Sequence, residues 1–238
     1  MFYKISSSGN NFIVIYNPEN FDIKTYSGVL EDVDGLVVLY PSSSSTANFI
    51  IFNKDGSRAK MCGNGLICAT TYFKRILKSE RTEFQFLTDS GFYKTEALDD
   101  GSYTVHFPKP KILVANQTTG IVDSGNMHMI QLVDHIDPNL MIDQQKVIGG
   151  NFNIHHLQKS IDEVYLMLSL ENGVGFTKSC GTGCISSFAY LRSLALCEKN
   201  MLFKTLGGVI KVSENDNEYL LNGHSEIIYF GELYDEKN

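Results

Sequence analysis

Two short cysteine-containing segments hold the residues best suited to chemistry in this chain. Residues 60–65 read Lys-Met-Cys-Gly-Asn-Gly, and residues 178–183 read Lys-Ser-Cys-Gly-Thr-Gly. Their cysteines, Cys62 and Cys180, lie about half a chain apart, so each half of the 238 residues carries one copy. Two thiols facing one carbon suit a reaction that removes a proton from one face and returns a proton to the other. The repeat therefore indicates racemisation or epimerisation.

A cysteine just before a helix lies where the exposed amide N–H groups and the helix dipole favour negative charge, and this predicts a lowered thiol pKa. The same N–H groups can hold a carboxylate, and the glycines let a ligand approach the backbone closely. A single Cys-Gly-x-Gly would be an ordinary Gly-rich turn with a buried cysteine. A phosphate-binding loop is a further alternative, but it explains neither the duplication nor the cysteine.

The repeat extends beyond the two motifs, which indicates two similar halves. Gly9-Asn10 recurs as Gly125-Asn126, and a polar residue with a turn precedes each cysteine at Asn53 and at Glu171. A helix-like run follows each cysteine, over residues 66–77 and 184–197. Strand-turn-strand stretches with glycine at the turn come next. Two copies cannot build a solenoid, so two half-domains fit better.

The coarse pattern predicts a mixed α/β fold in which each half holds several strands around one apolar helix. Short β-branched or apolar runs predict buried strands at residues 12–16, 36–40 and 49–52. The Pro108-Lys109-Pro110 break near the midpoint predicts a domain boundary. We therefore expect half-domains over residues 1–109 and 110–225, with residues 226–238 returning to complete the first.

The five cysteines include an odd thiol, so at least one does not pair within the chain. A zinc site is the competing interpretation, but the spacing of Cys62 and Cys68 does not match the usual ligand pairs. No histidine nearby in the sequence completes a set with Cys180 and Cys184. We expect no metal, and we expect Cys68, Cys184 and Cys197 to be small core residues of helical runs.

Composition and charge argue against nucleic acids and membranes as binding partners. A net charge of −7 and a pI near 5.3 argue against nucleic acid. No window reaches the roughly 18 apolar residues of a membrane span, and the first residues lack the form of a signal peptide. We expect a cytoplasmic protein that acts on a small molecule. The oligomeric state stays open, with a homodimer as one option.

At these residues the chain resembles the diaminopimelate epimerases, which interconvert LL- and meso-diaminopimelate without a cofactor for lysine and peptidoglycan synthesis. Residues 8–12 are similar to the family's opening Gly-Asn-Asp-Phe, and residues 52–57 with 61–65 resemble its first cysteine motif. Residues 125–128 resemble Gly-Asn-Pro-His, and residues 171–173 with 180–183 its Glu-Arg-Gly and second cysteine motif. The resemblance implies two pseudo-symmetric domains, each a curved mixed sheet wrapped around a central helix.

The resemblance also implies a role for each matching position. It implies Cys62 and Cys180 as the acid/base thiols, with His128 and Glu171 beside them. It implies that the amides of Gly63, Asn64, Gly181 and Thr182 hold the reacting carboxylate. It implies that the rest of the substrate is bound by Asn10, Asn53, Asn126 and Asn153, with Glu171 and Asn172 also at the binding site.

The chain departs from the family where the distal end of the substrate would bind. Asn172 stands where the family has an arginine, which forms a charged fork on a carboxylate that Asn cannot supply. Gly35 aligns with a family glutamine, and Arg58 offers a replacement positive charge. Two alternatives therefore stay open: the same two-cysteine chemistry on another amino acid, and a non-catalytic binding or redox module with a switchable Cys62–Cys180 disulfide.

Overall fold

The computed structural model describes residues 1–149, 151–160 and 164–233. These residues form two compact units, Met1–Val105 with the described part of His224–Asn238, and His106–Gly223. We refer to them as unit 1 and unit 2. Their strands are β1 (Phe2–Ser7), β2 (Asn10–Tyr16), β3 (Gly35–Pro41), β4 (Ala47–Asn53), β5 (Arg58–Ala59), β6 (Glu83–Thr88), β7 (Gly91–Ala97), β8 (Tyr103–Pro108), β9 (Lys111–Ala115), β10 (Thr119–Asp123), β11 (Met127–Leu132), β12 (Phe152–Lys159), β13 (Tyr165–Glu171), β14 (Gly175–Thr177), β15 (Asn200–Thr205), β16 (Gly208–Glu214), β17 (Glu218–Gly223) and β18 (Ser225–Gly231).

The described residues also form four α-helices. They are α1 (Ser27–Leu30), α2 (Gly63–Thr71), α3 (Pro138–Ile148) and α4 (Gly181–Ser193). A 3-10 turn, Ile23–Tyr26, precedes α1, and a π-helical turn, Tyr72–Ile76, continues α2. Among the described residues, no helix is both long enough and apolar enough to span a bilayer.

The two units repeat one pattern of strand pairing. In unit 1, β18, β1 and β2 pair antiparallel, β3 joins β2 parallel, and β4 joins β3 antiparallel. Strand β6 then pairs with β4 parallel and with β7 antiparallel. Unit 2 has the same order and directions through β9, β10, β11, β12, β13, β15 and β16. The expected mixed α/β fold with two pseudo-symmetric parts is therefore confirmed.

One buried helix lies inside each unit. Every residue of α2 is buried, and the helix packs on β1, β2, β3, β7 and β18. In α4, residues 181–191 are buried, and the helix packs on β9, β10, β11, β12, β16 and β17. A helix that is apolar on all sides needs such an enclosure, because no face of it is suited to water. The strands of each unit thus surround its helix, and this packing fixes the position of the first helical turn.

Most of the predicted elements are confirmed, but one helix end was wrong. Strands β2, β3 and β4 cover the three predicted runs. The helix expected over residues 184–197 ends at Ser193, because Ala195 adopts the left-handed φ of 55°. Cys197 therefore lies outside the helix and is half-buried instead of being a core residue. Cys68 and Cys184 are fully buried, as expected.

Candidate active site

Cys62 is the N-cap of α2, and its conformation follows from the turn that precedes the helix. Its backbone is extended, with φ −147° and ψ 123°, and its Sγ accepts a hydrogen bond from the Gly65 amide at 3.4 Å. Gly65 has a packing reason as well. A Cβ there would lie 3.1 Å from the Phe49 ring and 3.2 Å from Ile51, so glycine lets the helix start against β4. The thiol itself is half-buried.

The first turn of α2 brings a second polar side chain to the same place. Asn64 is buried, and its Nδ2 donates to Oδ1 of the buried Asn10 at 3.5 Å. Gly63 and Asn64 are the first two residues of α2, at the helix end that favours negative charge. Unit 1 thus brings Asn10, Cys62, Gly63 and Asn64 together.

Asn53 ends β4 and shapes the turn that leads towards the cysteine. Its amide donates to the Ser57 carbonyl at 2.8 Å, and its Nδ2 donates to the Ser57 hydroxyl at 3.0 Å. Gly35 lies opposite Asn53 in register. A Cβ at Gly35 would stand 2.5 Å from the Phe52 carbonyl oxygen, so this backbone leaves no room for the glutamine of the family pattern.

Arg58 is held by a neighbour in its own unit. Its Nε and Nη2 donate to the two carboxylate oxygens of Asp89, each at 2.6 Å. Both side chains are substantially exposed, and the Asp89 hydrogen bond raises the pKa of Arg58. The charge that could have replaced the missing arginine is therefore already matched by a carboxylate.

Cys180 is the N-cap of α4 and differs in environment from Cys62. Its backbone is also extended, but the residue is buried, with 4% exposure, and its Sγ lies 3.5 Å from the Thr182 hydroxyl. Burial raises the pKa of Cys180 well above 9.0, and the Glu171 charge raises it further. The Thr182 hydroxyl and the Gly183 amide act in the opposite direction but do not prevail. The lowered thiol pKa expected from the helix N-terminus is therefore wrong for Cys180, because burial and Glu171 outweigh the helix end.

Beneath the start of α4, two buried histidines form a hydrogen-bonded pair. His128 Nδ1 lies 2.8 Å from His155 Nε2, and His155 Nδ1 lies 3.0 Å from the Ser169 hydroxyl. Burial lowers the pKa of His128 to about 3, and the pKa of His155 well below 6.5. Both rings are therefore neutral at physiological pH. The His155 ring packs so closely on α4 that a Cβ at Gly183 would lie 2.5 Å from it.

These histidines also form, with Cys180, a group of side chains that could bind a metal ion. Their spacing in the sequence does not indicate such a group. One donor atom from each of His128, His155 and Cys180 lies within 4.8 Å of the others. Two nitrogens bound to one zinc at about 2.0–2.1 Å would be roughly 3.3 Å apart in tetrahedral geometry. The two rings are closer than that, at hydrogen-bond distance. The arrangement described here is a hydrogen bond between neutral rings.

The loop after β13 carries the remaining expected residues of unit 2. Glu171 accepts a hydrogen bond from the Thr177 hydroxyl at 2.6 Å. The Asn153 side chain accepts from the backbone amide of Asn172 at 3.0 Å, while the Asn172 side chain is exposed. Asn126 is exposed beside Gly125, which adopts a left-handed φ of 98° that favours glycine.

Sequence reasoning missed His155 and Ser169. The available signal was a pair of consecutive histidines, His155 and His156, inside an apolar run that forms β12. Side chains alternate across a strand, so one of the two must face the helix side. His155 does so, whereas His156 bonds the Gln144 side chain of α3 at 2.8 Å.

The amino-acid sequence of this chain is similar to those of known diaminopimelate epimerases. The family model for diaminopimelate epimerase matches residues 2–113. A diaminopimelate epimerase from Methanopyrus kandleri is 28% identical over 98% of this chain and 88% of its own length.

Solved structures share the fold at lower identity. A structure described as "a Predicted Epimerase" from Pseudomonas aeruginosa matches with a TM-score of 0.80 at 11% identity, covering 99% of both chains. A hydroxyproline epimerase from Agrobacterium vitis matches with a TM-score of 0.77 at 15% identity, covering 96% of this chain and 90% of its own. Taken with the duplicated cysteine motif, these similarities to diaminopimelate epimerases show that the chain is an isomerase.

Proposed function

We propose that this isomerase inverts the α-carbon of an amino acid without a cofactor, with LL- and meso-diaminopimelate of lysine biosynthesis as the leading substrate pair. Cys62 and Cys180 act as the two acid/base groups, one for each face of the α-carbon. One observation carries the proposal: in each unit a cysteine occupies the N-cap position of a buried helix and is followed by Gly-x-Gly. A single-thiol activity or a phosphate site would not require that arrangement twice.

The helix ends supply the electrostatics of the reaction. Loss of the α-proton develops negative charge on the substrate carboxylate. The amides of Gly63 and Asn64 in unit 1, and of Gly181 and Thr182 in unit 2, are the donors that would receive it. Oriented N–H groups need little rearrangement during the reaction, which is how such sites lower the barrier.

The raised pKa of Cys180 supports different starting roles for the two thiols, with Cys180 as the acid and Cys62 as the base. Because burial and Glu171 keep this thiol protonated, Cys180 carries its proton before substrate binds and can donate it to the α-carbon. Cys62 then takes the proton from the stereoisomer whose α-hydrogen faces it. The opposite stereoisomer requires the reverse assignment. His128 and Glu171 adjust the proton affinity at Cys180.

The identity of the substrate depends on the distal end. Diaminopimelate is supported by the family and by polar side chains available to bind it, at Asn10, Asn53, Asn126, Asn153 and Asn172. A second candidate is an amino acid with a neutral or smaller distal group. Asn172 favours this candidate because it carries no charge, and Arg58 is bound to Asp89. Burial of a carboxylate without a cationic partner costs on the order of several kcal/mol.

Incubation of the reduced protein with a panel of amino acids in heavy water tests the proposal. The panel contains LL- and meso-diaminopimelate, lysine, proline, hydroxyproline and an aromatic amino acid. Mass spectrometry reads deuterium at the α-position, and chiral chromatography reads inversion. An epimerase gives both signals on at least one substrate. A binding or redox module gives neither on any, and that result would refute the proposal.

A further inference from the structure

At equivalent buried positions next to their helices, unit 2 has polar residues where unit 1 has apolar ones. By strand order, β11, β12 and β13 correspond to β2, β3 and β4. Ile154 pairs with Leu170 just before the β13 turn, as Leu36 pairs with Phe52 before the β4 turn. The next pair inward is His155 with Ser169 in unit 2, and Val37 with Ile51 in unit 1.

The same correspondence holds on the neighbouring strand. His128 lies opposite Asn153, as Phe12 lies opposite Gly35. All three positions are buried in both units. Unit 2 therefore contains three polar residues where unit 1 contains three apolar ones. The three pairs, unit 2 first, are His128 and Phe12, His155 and Val37, and Ser169 and Ile51.

Unit 1 shows that the fold does not require polar residues at these positions. Burying a polar group costs free energy that hydrogen bonds only partly offset, whereas apolar groups of similar shape pack without that cost. A hydrogen-bonded set of His128, His155 and Ser169 is therefore expected to do something that Phe12, Val37 and Ile51 do not. Cys180, the N-cap of α4, lies beside this set, with one donor atom from each of Cys180, His128 and His155 within 4.8 Å of the others.

The hydrogen bonds couple the two rings. A neutral imidazole has one N–H donor and one acceptor nitrogen. If the Ser169 hydroxyl donates to His155 Nδ1, then His155 Nε2 donates to His128 Nδ1, and His128 Nε2 carries the hydrogen. If the hydroxyl accepts instead, every donor and acceptor along the chain reverses. The orientation of one hydroxyl thus determines which nitrogen of His128 is the donor.

The outer nitrogen of His128 is the end of this chain of bonds. Nε2 is buried and has no hydrogen-bond partner among the described residues. It is therefore available to a thiol or to a substrate atom, as a donor or as an acceptor.

We propose that His155, supported by Ser169, is a positioning residue that fixes the orientation and tautomer of His128 for proton transfer at Cys180. The equivalent positions of unit 1 hold Phe12, Val37 and Ile51, which cannot position a proton-transfer group in this way. The proposal rests on the proposed epimerase function. Its consequence is an asymmetry: disturbing His155 slows the proton transfer at Cys180 and not the one at Cys62.

Isotope effects on the substrate that the panel identifies can detect this asymmetry. When the Cys180 step becomes slower, it limits the rate more strongly in both directions. For the stereoisomer whose α-hydrogen faces Cys180, the isotope effect of α-deuterated substrate rises. For the other stereoisomer that effect falls, and the solvent isotope effect rises, because Cys180 then delivers a solvent-derived proton. A loss of folding alone would leave all of these ratios unchanged.

The key variant is His155→Val, which copies Val37. We expect kcat to fall at least about tenfold, with KM within about threefold and with the opposed isotope effects described above. His155→Gln places an amide near the position of Nε2 and should recover most of kcat. The matched control is His156→Val, the same change at the next residue, which bonds Gln144 instead. It should leave kcat and the isotope effects at wild-type values.

Ser169→Ala removes only one hydroxyl and serves if His155→Val does not fold. It should give the same opposed isotope effects with a smaller loss of kcat. Equal changes for both stereoisomers in these variants, or the same changes in His156→Val, would overturn the proposal. Failure of the wild-type protein to exchange α-protons on any substrate would instead refute the proposed function, so the two failures are distinguishable.

Discussion

The side chain of Asn153 holds the backbone of Asn172, with Oδ1 accepting from the amide at 3.0 Å. One oxygen of Asn153 is thus used to shape the turn after Glu171. The Nδ2 group of Asn153 takes no part in that bond. Asn172 itself is exposed, so a longer side chain at that position can extend into solvent.

The first prediction concerns Asn172→Arg. A guanidinium there can form charge-assisted hydrogen bonds with a distal carboxylate, each worth about 1.5–3 kcal/mol. We expect kcat/KM for diaminopimelate to rise about tenfold or more relative to an amino acid with a neutral side chain. Asn172→Gln controls for length without charge and should not change the ratio. Equal gains from Gln and Arg would show that charge is not the determinant.

The second prediction concerns Arg58→Gln. Because Asp89 already accepts hydrogen bonds from Nε and Nη2 of the guanidinium, we expect less than a twofold change in the preference between diaminopimelate and neutral amino acids. The exposed ion pair should contribute at most about 1 kcal/mol to stability. Paired kcat/KM measurements on the two substrates check this. A tenfold loss confined to diaminopimelate would mean that Arg58 leaves Asp89 to bind substrate.

The third prediction is that each motif cysteine is indispensable. Deprotonation on one face and reprotonation on the other need a group on each side, so Cys62→Ala and Cys180→Ala should each abolish inversion while circular dichroism stays unchanged. Cys197→Ala is the control, because Cys197 is half-buried outside α4 and should be dispensable for inversion. Full inversion by either motif variant would eliminate the two-base mechanism.

The fourth prediction is unequal reactivity of the two thiols. The thiolate is the nucleophile, and burial with Glu171 raises the pKa of Cys180, so less of it is ionised at any pH below that value. Iodoacetamide at pH 8 should therefore modify half-buried Cys62 well before Cys180, as read by peptide mass mapping. In urea the two should react at similar rates. Faster reaction at Cys180 in the folded protein would contradict the raised pKa.

The fifth prediction is acid sensitivity from the buried histidine pair. The folded protein keeps His128 neutral down to a pKa of about 3, whereas the unfolded chain protonates near 6.5. The unfolded state therefore binds more protons between these values, and stability falls as pH drops below 6.5, by about 1.4 kcal/mol per pH unit for each such group. Urea unfolding at pH 7 and pH 5 measures this.

Two variants sharpen the acid test. His128→Phe copies Phe12 of unit 1 and should reduce the loss of stability between pH 7 and pH 5. His224→Gln changes an exposed histidine and should not reduce it. An unchanged pH dependence in His128→Phe would assign the acid sensitivity to other groups.

Local patterns predicted much of the fold, and long-range proximity accounts for what they missed. The strands around Phe12 and Phe49 follow from short apolar runs, and both helix starts follow from Cys-Gly-x-Gly. The end of α4 depends on one left-handed residue, Ala195, which no apolar pattern indicates. Which side chain meets which is set by register between distant strands.

For the candidate site, too, local patterns identified the motif residues but not the contacts between distant ones. The motif gave Cys62 and Cys180, but the pKa of Cys180 depends on how deeply the fold buries it, and a helix-end argument cannot supply that depth. The ion pair of Arg58 with Asp89 joins a residue of β5 to one in the turn between β6 and β7. The His155 contacts likewise arise only after β11, β12 and β13 assemble.

The pairing of β18 with β1 bears on the order in which the chain can fold during synthesis. Unit 2 is one continuous segment, so all of its strands exist once the ribosome has passed Gly223. Unit 1 is not complete then, because Phe2 must wait for Gly231 as its cross-strand partner. Until β18 emerges, one edge of β1 presents unpaired N–H and C=O groups, a hazard for aggregation. The strand made first is therefore the last to gain its full set of neighbours.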